Sequence, residues 1–233
     1  MVTLQDILRR QMVWRGGAPS ADTDRTVPSG LAVLDRELPG GGWPVGALTE
    51  ILVAHEGVGE LRCLLPALAA LTLDGKRVTW LAPPYLPYAP ALAAAGVNLE
   101  HLAVVRTPLR RDALWAAEQV LRAGSCHALL AWLPATGYVE LKRLAVAAEA
   151  SPGFTILFRA PRAAHENSPC RLRIALEANG GQLTARILKR RGAPLGTSLS
   201  IPVKTAFRVL DRTPFPAPAA RSPVARPRPQ PVA

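Results

Sequence analysis

The strongest constraint on this chain is a regular alternation of short apolar runs and helical segments between residues 47 and 159. Ala47–Ala54, Arg77–Ala82, His101–Arg106, Ala128–Leu133 and Phe154–Arg159 read as strands that are apolar nearly throughout. Between them lie Leu61–Leu73, Ala89–Ala95 (ending at Gly96), Asp112–Ala123 and Tyr138–Ala150 (ended by Pro152-Gly153), all of helical length and pattern. Strands without polar alternation are buried on both faces, and strand–helix alternation leads to parallel pairing. The period then changes. Arg171–Glu177 and Gln182–Lys189 alternate, with Asn179-Gly180-Gly181 between them, which is a hairpin signal. The expected fold is α/β: a doubly wound, mostly parallel sheet with a C-terminal antiparallel β-hairpin extension.

The flanks differ from this core. Residues 3–14 place Leu4, Ile7, Leu8 and Met12 on one helical face, and Gly16–Arg25 reads as a linker. Ser29 precedes a helical stretch, Gly30–Leu38, and Gly40-Gly41-Gly42-Trp43-Pro44 forms a turn. From Arg212 the density of proline excludes helix and central strand, so a disordered, polyproline-like basic tail is expected. The expected division is an N-terminal arm (1–26), a core (27–211) and a tail (212–233).

Lys and Arg outnumber Asp and Glu by 28 to 17, a net charge of +11 that favours an anionic partner, most often nucleic acid. Cys63, Cys126 and Cys170 have neither disulfide-framework nor zinc-ligand spacing, so no metal is expected and a reducing compartment is. The first fifteen residues carry scattered charges and lack the apolar core of a signal peptide. The richest apolar stretch, Leu61–Leu73, is too short to span a bilayer and contains Arg62 and Pro66. A cytoplasmic protein with no membrane partner is expected.

In an open parallel sheet, ligands bind beyond the C-terminal strand ends. A phosphate loop after the first strand needs glycines, a lysine on the β/γ-phosphates and a Ser/Thr hydroxyl on Mg²⁺. Here the loop reads Val53-Ala54-His55-Glu56-Gly57-Val58-Gly59-Glu60-Leu61-Arg62. Gly57 and Gly59 are present, but Glu60 stands at the lysine position and Leu61 at the hydroxyl position. A partly desolvated glutamate repels a triphosphate by several kcal/mol, whereas helix N-terminal amides return only about 0.3–1 kcal/mol. The strand Ala128–Leu133 carries no acid to organise magnesium, and Leu81-Ala82-Pro83-Pro84-Tyr85 carries none to activate water. No cofactor and no catalytic residue are expected.

The run Val27-Pro28-Ser29-Gly30-Leu31-Ala32-Val33-Leu34-Asp35, then Gly40-Gly41-Gly42-Trp43-Pro44-Val45-Gly46 and Leu48-Thr49-Glu50-Ile51, resembles the entry to a RecA recombinase core. With the degenerate loop and the arm Val13-Trp14-Arg15-Gly16, the chain resembles the ImuA family. These are RecA-like accessory proteins of bacterial damage-induced mutagenesis, also described as SulA-like. The resemblance implies a RecA-like fold and a non-catalytic role in translesion DNA synthesis in the SOS response. It implies as partners RecA, an ImuB-type polymerase-like protein and an error-prone replicative-type polymerase, with association with the nucleoid on damage. DNA is a candidate partner, directly or through the complex. Val13, Trp14 and Arg15 are similar to the strand that RecA protomers add to a neighbour. Lys189-Arg190-Arg191 is similar to the basic turn that reaches a neighbour's nucleotide. The two DNA-binding loop positions, Trp132–Tyr138 and Arg159–Cys170, are shorter than in RecA.

Other basic residues are candidate phosphate contacts: Arg159, Arg162, Arg171 and Arg173, and the cluster Arg106, Arg110 and Arg111 after the third strand. Such contacts would be salt-sensitive and sequence-independent. His55, His101, His127 and His165 do not cluster in sequence and are expected to be structural or exposed. Trp43, Trp80, Trp115 and Trp132 are expected in the core. Two other readings stand beside the scaffold: a SulA-like division inhibitor that binds the tubulin-like division protein, and a divergent ATPase.

Overall fold

The computed structural model describes residues 25–179, 182–192 and 198–202. The N-terminal helix, linker and Val13–Arg15 strand, and the tail from 212, lie outside the described residues. The chain divides into a unit Met1–Val203 and a second unit, Lys204–Ala233, which also lies outside them.

Among the described residues, the first unit holds ten strands: β1 (Thr26–Val27), β2 (Trp43–Pro44), β3 (Leu48–Val53), β4 (Val78–Leu81), β5 (Leu102–Val105), β6 (Ala128–Trp132), β7 (Phe154–Arg159), β8 (Leu172–Asn179), β9 (Gln182–Lys189) and β10 (Ser198–Ile201). Its α-helices are α1 (Ala32–Asp35), α2 (Leu65–Leu73), α3 (Ala89–Ala94), α4 (Arg110–Ala123) and α5 (Tyr138–Glu149). Eight strands form one sheet in the order β10-β9-β8-β3-β7-β6-β4-β5. The six from β8 to β5 are parallel, and β9 and β10 add antiparallel at the β8 edge. The mostly parallel α/β sheet with its hairpin extension is thus present.

Both sheet faces are covered. Ile51, Val53, Trp80, Leu130, Trp132, Phe154, Ile156 and Phe158 pack with Leu34, Leu64, Ala67, Leu68 and Leu71 in one core. Leu48, Leu81, Leu129, Ala131 and Leu157 pack with Ala113, Ala117 and Leu121 of α4 and Leu141, Leu144 and Ala148 of α5 in the other. The buried α4 residues recur at i and i+4, the repeat of one helical face. The central strands β3, β4, β6 and β7 are buried throughout. β5 is an edge strand, and Ala103 and Val104 are exposed despite its apolar sequence.

Three local features depart from the sequence reading. The expected helix Gly30–Leu38 contracts to α1 because side chains fasten its entry: the Ser29 amide donates to Asp35 Oδ1 at 2.8 Å, and the Leu31 amide to Ser29 Oγ at 3.1 Å. The expected helix Leu61–Leu73 divides into a 3₁₀ turn, Glu60–Cys63, and α2. Pro66, near the start of α2, cannot donate to the preceding turn and fits only a first helical turn. β1 and β2 form a separate two-stranded ribbon. Gly42 lies against it so closely that a Cβ there would sit 2.3 Å from the Val27 carbonyl oxygen.

Candidate functional site

The loop after β3 occupies the position where ligands bind in this architecture. Gly57 (φ 84°) and Gly59 (φ 98°) are both left-handed. Such turns point successive amides into one concavity, an anion-binding arrangement. Here the concavity already holds an anion. The Gly57 amide donates to Glu60 Oε1 at 3.2 Å and the Gly59 amide to Oε2 at 3.1 Å, and Glu60 is 5% exposed. The sequence marks Glu60 as a source of repulsion and leaves the loop amides available. The structure corrects this: the carboxylate takes the amides a phosphate would need. Leu61 packs against the core, and the Arg62 stem lies over Gly59. Cys63 Sγ donates to the Glu60 carbonyl at 2.8 Å, and burial pushes this thiol up to about 12.

The surroundings match the loop. The cavity at the ends of β3, β6 and β7, lined by His55, Glu56, Trp132 and Phe158 among others, holds about 90 Å³. Small-molecule sites typically hold about 300–1,000 Å³. β6 is wholly apolar and buried, with Trp132 stacked on Phe158 at 4.6 Å between ring centroids. Among the described residues no group of three or more His, Cys, Asp or Glu is placed to hold a metal ion.

A second polar cluster lies inside the protein. Glu50, fully buried in β3, accepts from Arg159 of β7 at 2.8 Å and from Arg173 of β8. Arg159 also donates to Glu166 at 2.8 Å and to the Thr136 carbonyl at 2.6 Å. Arg173 donates to the carbonyls of Glu166 and Ala163. Burial alone would lower the Arg159 pKa, but its hydrogen bonds to Glu166 and Glu50 reverse this and hold it above the ordinary value. Arg159 and Arg173 are 2% and 7% exposed, so their assignment as phosphate contacts is corrected: they neutralise Glu50. The sequence signal for this cluster was Glu50 itself, a charge within an otherwise buried strand, which requires partners.

The remaining basic candidates do not form one patch. Arg106, Arg110 and Arg111 lie beyond the C-terminal end of β5 and are exposed. Arg110 pairs with Glu140 and donates to the Ala135 carbonyl at 2.8 Å, and Arg111 pairs with Asp112 at 3.3 Å. Arg162 is exposed in a 3₁₀ turn after β7. Arg171 is exposed just before β8, at the other end of the parallel strands. Lys189 sits at that same end, opposite Arg173, and donates to the Ser168 carbonyl at 2.8 Å. Arg190 is tied to Glu37, and Arg191 is half-buried. Of the tryptophans, Trp43, Trp80 and Trp132 are core residues, whereas Trp115 departs from expectation at 64% exposure.

No family model matches the chain. Over 112 residues it is 30% identical to the cell division inhibitor SulA of Edwardsiella piscicida, an alignment covering 46% of this chain and 67% of the relative. No helix among the described residues is long and apolar enough to cross a membrane. At that identity and coverage, the chain belongs to the family of the cell division inhibitor SulA.

Proposed function

We propose that this protein is a non-catalytic, RecA-like binding module of the bacterial DNA-damage (SOS) response, working through protein partners in translesion synthesis. The observation that carries the reading is the Glu60 carboxylate on the Gly57 and Gly59 amides. A triphosphate must displace that carboxylate and then meet no lysine, no hydroxyl and no acid-held metal. The order of the parallel strands, with β3 between β7 and β8, agrees with a RecA-like core. The entry motif resembles a RecA core, and with the degenerate loop and the Val13–Gly16 arm the chain resembles the ImuA family, which supplies the proposed partners: RecA, an ImuB-type protein and an error-prone polymerase.

Placement of the basic turn supports docking onto a RecA-like neighbour. Lys189 lies at the end of the sheet opposite the Gly57–Leu61 loop, the polarity that head-to-tail stacking needs. A chain that offers this turn but holds no nucleotide would end a filament. A second reading, division inhibition through the tubulin-like division protein, is favoured by the relative's name. Pull-down with the full chain against RecA, an ImuB-type protein and the division protein separates the two. The scaffold reading expects RecA or ImuB-type capture, and loss of RecA binding and filament shortening when Lys189 and Arg191 are changed to Glu. Capture of the division protein alone favours the second reading.

A further inference from the structure

Four of the eleven large exposed apolar side chains among the described residues sit on one pair of adjacent helices. Trp115 (64%), Tyr138 (52%), Val139 (71%) and Val146 (60%) all belong to α4 or α5, whereas β3, β7, β8 and β9 contribute none. These two helices pack side by side and enclose a groove of about 200 Å³, lined by Arg111, Leu114 and Trp115 from one and Glu140, Arg143 and Leu144 from the other. Val139, Lys142, Arg143 and Val146 recur at i, i+3, i+4 and i+7, so they form one exposed stripe along α5 that reaches the groove through Arg143.

Charge on this face is sorted by depth. Arg111, Arg122, Lys142 and Arg143 are the most exposed charges here, whereas of the acids beside them Glu118 is buried, Glu140 is partly covered and Asp112 stays about as open as Arg110. Glu118 is buried and holds both Arg122, at 2.7 Å, and Arg143. Asp112 and Glu140 are half-buried and paired with Arg111 and Arg110. Glu149, at the far end of α5, is the one exposed acid of the two helices. A partner therefore meets cations around an apolar strip.

We propose that the α4–α5 face is a docking site for an acidic amphipathic helix of a protein partner, seated with its apolar side against Trp115, Val139 and Val146 and its carboxylates among Arg111, Lys142 and Arg143. In helix-in-groove recognition the docking helix presents apolar anchors at i, i+3, i+4 and i+7, and tryptophan, tyrosine and arginine are each enriched at binding hot spots. Aliphatic side chains such as Val139 and Val146 give a helix an apolar seat, whereas Trp115 and Tyr138 are also surfaces on which bases stack, so the oligonucleotide control below decides between peptide and single-stranded nucleic acid. The site is separate from the Gly57–Leu61 loop.

The test is fluorescence anisotropy of the full-length chain with a labelled Leu/Glu peptide patterned as an amphipathic helix. Controls are a scrambled peptide of the same composition, a Leu/Lys peptide and a single-stranded thymidine 30-mer. Saturable binding of the patterned acidic peptide alone is expected, with a blue shift of Trp115 emission. Trp115→Ala with Val139→Ser should weaken it at least tenfold, and Arg111→Glu with Arg143→Glu should do the same, while circular dichroism shows each variant folded. Equal binding of the scrambled peptide, competition by the oligonucleotide, or unchanged affinity in both variants would overturn the proposal. None of these outcomes depends on the state of Glu60, so the non-catalytic reading stands or falls separately.

Discussion

Single residues decide what the sheet end can do. Glu60 converts an anion-binding loop into one that binds its own side chain. Sequence showed the wrong charge but not the hydrogen bonds, because whether a carboxylate turns inward depends on the left-handed turns at Gly57 and Gly59. Glu50 gives a parallel lesson. Arg159 and Arg173 look in sequence like surface cations for phosphate, yet a buried carboxylate between them claims both. Glu50→Ala strands two interior guanidinium groups, and breaking a buried pair in this way costs about 3–5 kcal/mol. Urea denaturation should show that loss as a lower midpoint. The thiols give a pH test. Cys63 and Cys170 are raised from 9.0 to about 12, by burial in both cases and then, for Cys170, by nearby Glu50. A thiol raised on folding favours the folded state below its unfolded pKa, and that contribution fades as pH climbs from about 9 towards about 12. The loss is about 1.4 kcal/mol per pH unit per thiol. Stability measured between pH 8 and 10.5 should fall less steeply in a Cys63→Ala, Cys170→Ala variant than in the parent.

At the scale of elements, the alternating core was legible because buried parallel strands are apolar throughout and amphipathic helices repeat every three to four residues. Strands β3 to β9 fall close to the segments the periodicity marks. The two-residue strands β1 and β2 were not legible, since pairing that short leaves no period to read. The break between the 3₁₀ turn and α2 was also missed, because the apolar run continues through it and only Pro66 marks the new start. Trp115 was misassigned because it falls beside the apolar stripe of α4, not on it: the buried positions are Ala113, Ala117 and Leu121. The glycine run of the entry motif acquires a physical reason here. Gly42→Ala would drive a methyl group into the Val27 carbonyl and part the β1–β2 ribbon. Overpacking of this kind costs about 1–3 kcal/mol, readable as a lowered Tm with the strand content otherwise kept.

On the scale of the described core, the sheet has two ends of different chemistry and one helical face of mixed apolar and basic residues. The C-terminal end carries the loop closed by Glu60, and the opposite end carries Lys189. The proposed scaffold role asks that surfaces for partners be kept while the loop after β3 is filled from within by Glu60. The most direct measurement is calorimetric titration of the full-length protein with Mg·ATP, alongside Glu60→Ala. No binding at millimolar nucleotide by the parent, and no turnover by either protein, is the predicted result. Micromolar affinity in the parent, or turnover that disappears when Glu60 is replaced, would contradict the account.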